Sequence, residues 1–223
     1  MCGRFALYSD PFALARRFKA EALPELRPRY NVAPSQTIPI VRKEGEKRRF
    51  ALPRWGLIPH WAKDARIGYK MINARAETVA EKPAFRTAFR HRRCLIPADG
   101  FYEWQAVAGS KVKQPWFMAL KDREPMALAG LWEKWHSPEG EDLASCSIIV
   151  TAANEIMQPI HDRMPVILAP EVWDAWLETD AKDAQALQDL LKPYPAGDMA
   201  AWPVTTKVNS PRNDSAECLE AIK

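Results

Sequence analysis

Residues 93–107 read RCLIPADGFYEWQAV. One apolar run leads into Asp99-Gly100 and a second follows it, so the stretch reads as strand, turn, strand. The neighbouring stretches have the same character. TIPIVRKEGEKRRFALPRWGLIP (37–59) has a β-rich segment, a Glu-Gly-Glu turn and more strand. QPWFMALKD (114–122) and PMALAGLWEKW (125–135) read as a pair of strands around Lys121-Asp122-Arg123-Glu124. SCSIIVTAA (145–153) is a continuous apolar run, hence a buried strand. AWPVTTKV (201–208) reads as a closing strand. Helices intervene. In SDPFALARRFKAEA (9–22), Asp10 suits the N-cap and Pro11 the first helical position, with Phe12, Ala15 and Phe18 on one face. KPAFRTAFRHRRC (82–94) reads as a short basic helix, and PEVWDAWL (170–177) and DAQALQDLLK (183–192) as two more. No repeat, low-complexity tract or linker interrupts the chain. The expectation is an α+β fold: a single β-rich domain over residues 1–223, with a mixed or antiparallel, barrel-like sheet core and peripheral helices.

The chain has 223 residues, 47% of them apolar, enough for a sizeable core. No apolar run reaches the roughly 18 residues of a membrane span, and the start lacks the basic-then-apolar pattern of a signal peptide. Four widely spaced cysteines fit a reducing compartment. The expected location is therefore the cytoplasm. A net charge of +4 permits a polyanionic partner without demanding one.

The chain opens Met1-Cys2-Gly3-Arg4-Phe5. Chain termini are ordinarily frayed, and a cysteine there is either tolerated or a reagent. Initiator methionine is removed when the second residue is small, which would leave Cys2 with a free α-amine beside its thiol. Their ordinary pKa values, near 7.7–8.0 and 8.5, leave both partly nucleophilic at neutrality. Two enzyme classes use the pair. In an amidohydrolase the amine is the base and the thiol attacks a side-chain amide. In an aldehyde trap the amine forms an imine and the thiol closes a thiazolidine on the same carbon.

Three polar residues lie in apolar, strand-like context, where burial without a purpose is costly. Asn73 in KMINARAET (70–78) is either a turn residue or a buried functional amide. Glu103 in PADGFYEW (97–104) is either edge-exposed or buried against aromatics, and burial would make it a general acid. His161 in MQPIHDRMPVIL (157–168) is either structural or a proton carrier. His91 and Cys94 have HxxC spacing, but no second pair completes a zinc site. There is no phosphate loop and no nucleophile elbow. Neither metal nor cofactor is expected.

MCGRF, RYNVAPSQ (29–36), RWGLIPHWAKD (54–64), INARAET (72–78), RRCLIPADGFYEW (92–104), IVTAAN (149–154), IHDRMPVIL (160–168) and VNSPRND (208–214) together resemble the SRAP family over almost the whole chain. Its members shield abasic sites by binding single-stranded DNA and crosslinking to the lesion. The resemblance implies that Cys2 attacks the abasic-site aldehyde and that Asn73, Glu103 and His161 are the other catalytic positions. It implies DNA contacts at Arg4, Arg75, Arg163 and Trp104, and at Trp61. Family members can carry a second aromatic after the Trp61 position; here it is Ala62. The implied partner is single-stranded DNA containing abasic sites, met by a monomer that is nucleoid-associated when bound. The family is also named for a peptidase activity with autoproteolytic N-terminal processing. Two other readings compete. Class II glutamine amidotransferases also begin Met-Cys-Gly, but with an aliphatic residue in place of Arg4 and a later Gly-His-x-Arg segment that this chain lacks. A non-catalytic single-strand binding module accounts for the basic and aromatic residues but leaves Cys2 and Glu103 without a role.

Overall fold

The turn at Asp99–Gly100 joins two strands that belong to different sheets. The computed structural model of the chain describes residues 2–23, 25–178 and 184–222. In chain order it contains β1 (Phe5–Leu7), α1 (Pro11–Phe18), β2 (Arg29–Val32), β3 (Ile40–Glu44), β4 (Lys47–Ala51), β5 (Arg54–Trp55) and β6 (Asn73–Arg75). Next come α2 (Arg86–His91), β7 (Arg93–Ala98), β8 (Gly100–Gln105), β9 (Gln114–Leu120), β10 (Met126–His136) and β11 (Asp142–Ala152). The last are β12 (Arg163–Pro165), β13 (Ile167–Leu168), α3 (Trp173–Leu177), α4 (Ala184–Asp189) and β14 (Met199–Pro203). One sheet has the order β14-β9-β8-β1-β2. The other runs β12-β11-β10-β7-β3-β4, with β13 on β10 and with β5 and β6 running parallel to β11. The fold is α+β as expected, with short helices around antiparallel sheets, but the sheets remain open rather than closing into a barrel.

The strand-turn-strand reading of 93–107 holds locally, but the two strands do not form a hairpin. β7 pairs with β10 and β3, while β8 pairs with β9 and β1. The same correction applies to 114–135: β9 and β10 are strands, but they lie in different sheets and do not pair with each other. Long-range contacts decide the crossing at Asp99, which is 4% exposed. Its carboxylate accepts the backbone N–H groups of Tyr8 at 2.5 Å and Ser9 at 2.8 Å, and the Ser9 hydroxyl. Gly100 is needed at the next position. A Cβ there would lie 2.2 Å from Phe117 Cζ and 2.5 Å from the Met118 carbonyl oxygen. Because one obstacle is backbone, Gly100→Ala is expected to cost about 1–3 kcal/mol or more in a urea unfolding curve. An unchanged midpoint would show that the crossing is looser than it looks.

Period-2 alternation gives the β14-β9-β8-β1-β2 sheet two covered faces. Phe5, Phe101 and Met118 point into the main core with Ile96, Leu128 and Ile149 of the other sheet. Ala6, Tyr102 and Phe117 point the other way, into a smaller cluster closed by Val204, Val208 and Cys218 of the C-terminal segment. By the same alternation Glu103 faces inward and Trp104 outward.

α1 begins as expected: Asp10 accepts the N–H groups of Phe12 and Ala13, both at 3.0 Å, and Pro11 follows it. The helix stops at Phe18 rather than running on to 22, because Lys19 adopts the left-handed conformation at φ 51°. Its buried face is Leu14, Ala15 and Phe18, whereas Phe12 is 54% exposed. The expected helix over 183–192 is α4, and its first residue, Asp183, lies outside the described residues. Among the described residues no helix is long and apolar enough to cross a membrane.

Candidate active site

The start of the chain is built into the sheet. β1 lies between β2 and β8, and the Tyr102 N–H donates to the Arg4 carbonyl at 2.9 Å. Cys2 is fully buried in the main core. Burial raises the pKa of its thiol, and the negative charge of Glu103 raises it further. Glu103 is 2% exposed, which removes the edge-exposed reading of this residue. Burial pushes its carboxyl up to about 7. Cys2 and Glu103 are therefore neighbours, in an environment that holds the thiol protonated and leaves the carboxyl about half protonated at neutrality.

The turn carrying His161 is tied to β8 by Gln105, whose side-chain N–H donates to the Pro159 carbonyl at 2.9 Å. Asp162 acts electrostatically on both Glu103 and His161. The His161 Nδ1 accepts the Arg163 backbone N–H at 3.0 Å, so a neutral ring carries its proton on Nε2. An Asp162 carboxylate oxygen lies 2.9 Å from the same Nδ1, ready to pair with it on protonation. Burial lowers the His161 pKa, which favours the neutral, proton-accepting form.

Asn73 opens β6, whose parallel pairing sets Asn73 beside Ile148 and Arg75 beside Val150 of β11. It is a strand residue, not a turn residue. Both polar atoms of its amide are buried, and neither has a hydrogen-bond partner among the described residues. Buried amides are almost always paired, so this pair at a cleft wall has donor and acceptor capacity left open.

Two clefts adjoin these residues and share no lining residue. One, of about 630 Å³, is lined by Asn73, Arg75, Trp61, Lys70, Lys82 and Phe85. Trp61 is 51% exposed at its rim, with its indole N–H toward the Pro83 carbonyl at 3.4 Å. The other, of about 610 Å³, is lined by Gly3, Arg4, Trp104, Asn209, Lys111 and Lys113. Here the Arg4 guanidinium sits 5.7 Å from the centre of the Trp104 ring, a cation–π contact. The residues expected to touch DNA thus divide between two clefts. Arg163 is in neither lining set; it is ion-paired with Glu77 and packs near Arg75 through that carboxylate. A third cleft, of about 530 Å³, is lined by Lys19, Lys43, Arg48 and Asp174. Its Lys43 and Arg48 are paired with Glu178 and Asp174.

Lys70, Lys82, Lys111, Lys113 and Asn209 were not singled out from sequence. Lys111 and Lys113 fall in AVAGSKVKQ (106–114), which carries only a loop signal. Among the described residues no group of three or more His, Cys, Asp or Glu side chains could hold a metal ion. All four cysteines are free and buried.

The family model described as SOS response associated peptidase (SRAP) matches residues 1–211. The "Abasic site processing protein YoqW" of Bacillus subtilis (strain 168) is 51% identical over 224 residues, covering 99% of this chain and 100% of the relative. The "Abasic site processing protein HMCES" of Rattus norvegicus is 31% identical over 268 residues, covering 98% of this chain and 75% of the relative. A crystal structure of a Bacteroides thetaiotaomicron protein superposes with a TM-score of 0.90 at 26% identity, covering all of both chains. One from Bordetella bronchiseptica gives 0.79 at 27% identity, covering 92% of this chain and 100% of the other.

Proposed function

The chain belongs to the SOS response associated peptidase (SRAP) family, and from that premise we propose that it processes abasic sites in single-stranded DNA by capturing the lesion covalently on Cys2. The observation that carries this reading is the burial of Cys2 against a Glu103 carboxyl pushed up to about 7. A glutamine amidotransferase needs neither this acid nor the two clefts lined with lysine, arginine and tryptophan. A passive binding module needs the clefts but not the acid.

The proposed sequence balances. Removal of Met1 converts the Cys2 nitrogen from an amide to an amine. The abasic sugar is mostly a closed hemiacetal. Glu103, protonated, gives its proton to the ring oxygen, while neutral His161 takes the C1′ hydroxyl proton, and the ring opens to the aldehyde. The Cys2 amine adds to C1′ and one amine hydrogen passes to the oxygen. The His161 imidazolium gives that oxygen a second proton and water leaves, giving an iminium whose nitrogen keeps one hydrogen. The thiol sulfur then bonds to the same carbon, its proton passes to the Glu103 carboxylate, and the nitrogen keeps its remaining hydrogen. The net change is aldehyde plus aminothiol giving thiazolidine plus water. The unpaired Asn73 amide has donor and acceptor capacity to hold a sugar hydroxyl. Arg4, Arg75 and Arg163 neutralise flanking phosphates, with an affinity that falls with salt at a slope of roughly −0.7 per phosphate. Trp61 and Trp104 stack on bases, each worth about 1–3 kcal/mol.

The test is a denaturing gel with an abasic and an undamaged strand of the same sequence. The chain with a free N-terminus should give a heat-stable, slower band with the abasic strand alone. The same chain with an uncleaved N-terminal tag should give none. A stable band from the blocked chain would rule out the N-terminal aminothiol as the reagent.

A further inference from the structure

RYNVAPSQ (29–36) and VNSPRND (208–214) play no part in the chemistry above, yet they meet at one buried side chain. Asn31 is 0% exposed. Its amide nitrogen donates to the carbonyls of Val208 at 3.2 Å, Ser210 at 3.0 Å and Asn213 at 2.6 Å. Its Oδ1 accepts Arg4 Nη1 at 2.8 Å. The same Nη1 donates to the Val208 carbonyl at 2.8 Å. Both hydrogens of Nη1 are thereby committed, which leaves Nη2 as the end of the fork available to the cleft. Asp214 holds Asn31 in turn. One of its oxygens accepts the backbone N–H groups of Tyr30 at 2.6 Å and Asn31 at 2.8 Å, and the other pairs with Arg29. The same C-terminal strap reaches the second partner of the cation–π pair, because Asn209 accepts the Trp104 indole N–H at 2.7 Å.

We propose that Asn31 is a positioning residue for strand capture: it ties the 205–214 strap to Arg4 and fixes the guanidinium over Trp104 with Nη2 turned to a strand phosphate. Asp214 supports it by fixing the Asn31 backbone. A short side chain whose two amide hydrogens serve three carbonyls, one hydrogen being shared, while its oxygen holds one arginine, leaves Arg4 a single orientation, so little side-chain entropy is lost on binding. The inference rests on the reading of Arg4 as a phosphate contact of the proposed activity.

The test is a double-mutant cycle read by fluorescence anisotropy on an undamaged oligo-dT strand at several salt concentrations. Asn31→Ala removes a hydrogen bond to a charged group and should weaken binding about tenfold. It should also reduce the salt slope by about 0.7, the value of one phosphate. Arg4→Ala should do the same, and the double variant should be no worse than either single. Asp214→Asn keeps the shape and should move both readouts in the same direction by less; it carries the test if Asn31→Ala does not fold. A purely structural Asn31 would lower the urea midpoint and leave affinity and slope of the folded protein at wild-type values. That result, or additive losses in the double variant, overturns the inference. A wild type that binds the strand but forms no abasic adduct defeats the proposed chemistry and leaves this inference standing.

Discussion

Cys2→Ala should abolish the heat-stable adduct, whereas Cys94→Ala, Cys146→Ala and Cys218→Ala should each keep it. All four thiols are buried, so exposure does not distinguish them. Position does. Cys94 and Cys146 lie in the interiors of β7 and β11, where burial raises their pKa values and no amine can adjoin the sulfur. Their loss is a packing change and should appear as a lower urea midpoint. Cys2→Ala keeps the α-amine once Met1 is removed, so it should still form an imine that borohydride traps. Cys2→Ser should behave the same way. The result expected on a gel is no stable band without reductant and a band with it. Loss of the stable band in a folded Cys94, Cys146 or Cys218 variant would move the chemistry away from the N-terminus.

Glu103→Gln should slow capture of a closed abasic site by about 10²–10⁴-fold if ring opening limits the rate. An open-chain aldehyde should recover part of that loss. The pH dependence has a definite sign. The acid must be protonated, so the wild-type rate should fall as pH rises through about 7. The Cys2 amine must be free, so the rate should also fall as pH drops below the range in which an α-amine loses its proton, ordinarily about 7.7–8.0. A bell results, and Glu103→Gln should lose the alkaline limb. Stability depends on the same proton. A folded carboxyl titrating above its ordinary 4.5 binds its proton more tightly than the unfolded chain does. Stability therefore falls as pH rises from about 4.5 to about 7 and stays lower above it, by about 3 kcal/mol for a shift of this size. Glu103→Gln escapes that loss and should be more stable than wild type at pH 8, with the advantage gone below about pH 4.5. A variant that is both active and no more stable at pH 8 would remove Glu103 as a buried acid.

The local features of the fold were legible where their causes are local. The Asp10-Pro11 start of α1 and the Glu44-Gly45-Glu46 turn between β3 and β4 depend on adjacent residues, and both stand as read. The sheet to which each strand belongs was not legible, because Asp99 chooses its crossing through Tyr8 and Ser9, some ninety residues away. Phe12 was placed on one face with Ala15 and Phe18 by spacing, but the buried face of α1 is Leu14, Ala15 and Phe18, and Phe12 is exposed. Glu103 and Asn73 stood out as polar residues in apolar strands, and period-2 alternation already turns Glu103 inward. The burial that gives each a meaning depends on the facing sheet. Asn31 and Asp214 lie in stretches that carry the family resemblance but drew no role of their own, since they meet only across more than 180 residues of chain. The lysines of the two clefts were equally silent, because a lysine in a loop reads as solvated surface.

The most direct test of the central claim is the intact mass of the purified adduct with an abasic single strand, measured before and after borohydride. The account predicts the mass of the chain lacking Met1 plus the strand less one water, unchanged by the reductant, because a thiazolidine has no imine to reduce. An adduct that retains Met1, or one that gains two hydrogens with borohydride, would contradict it.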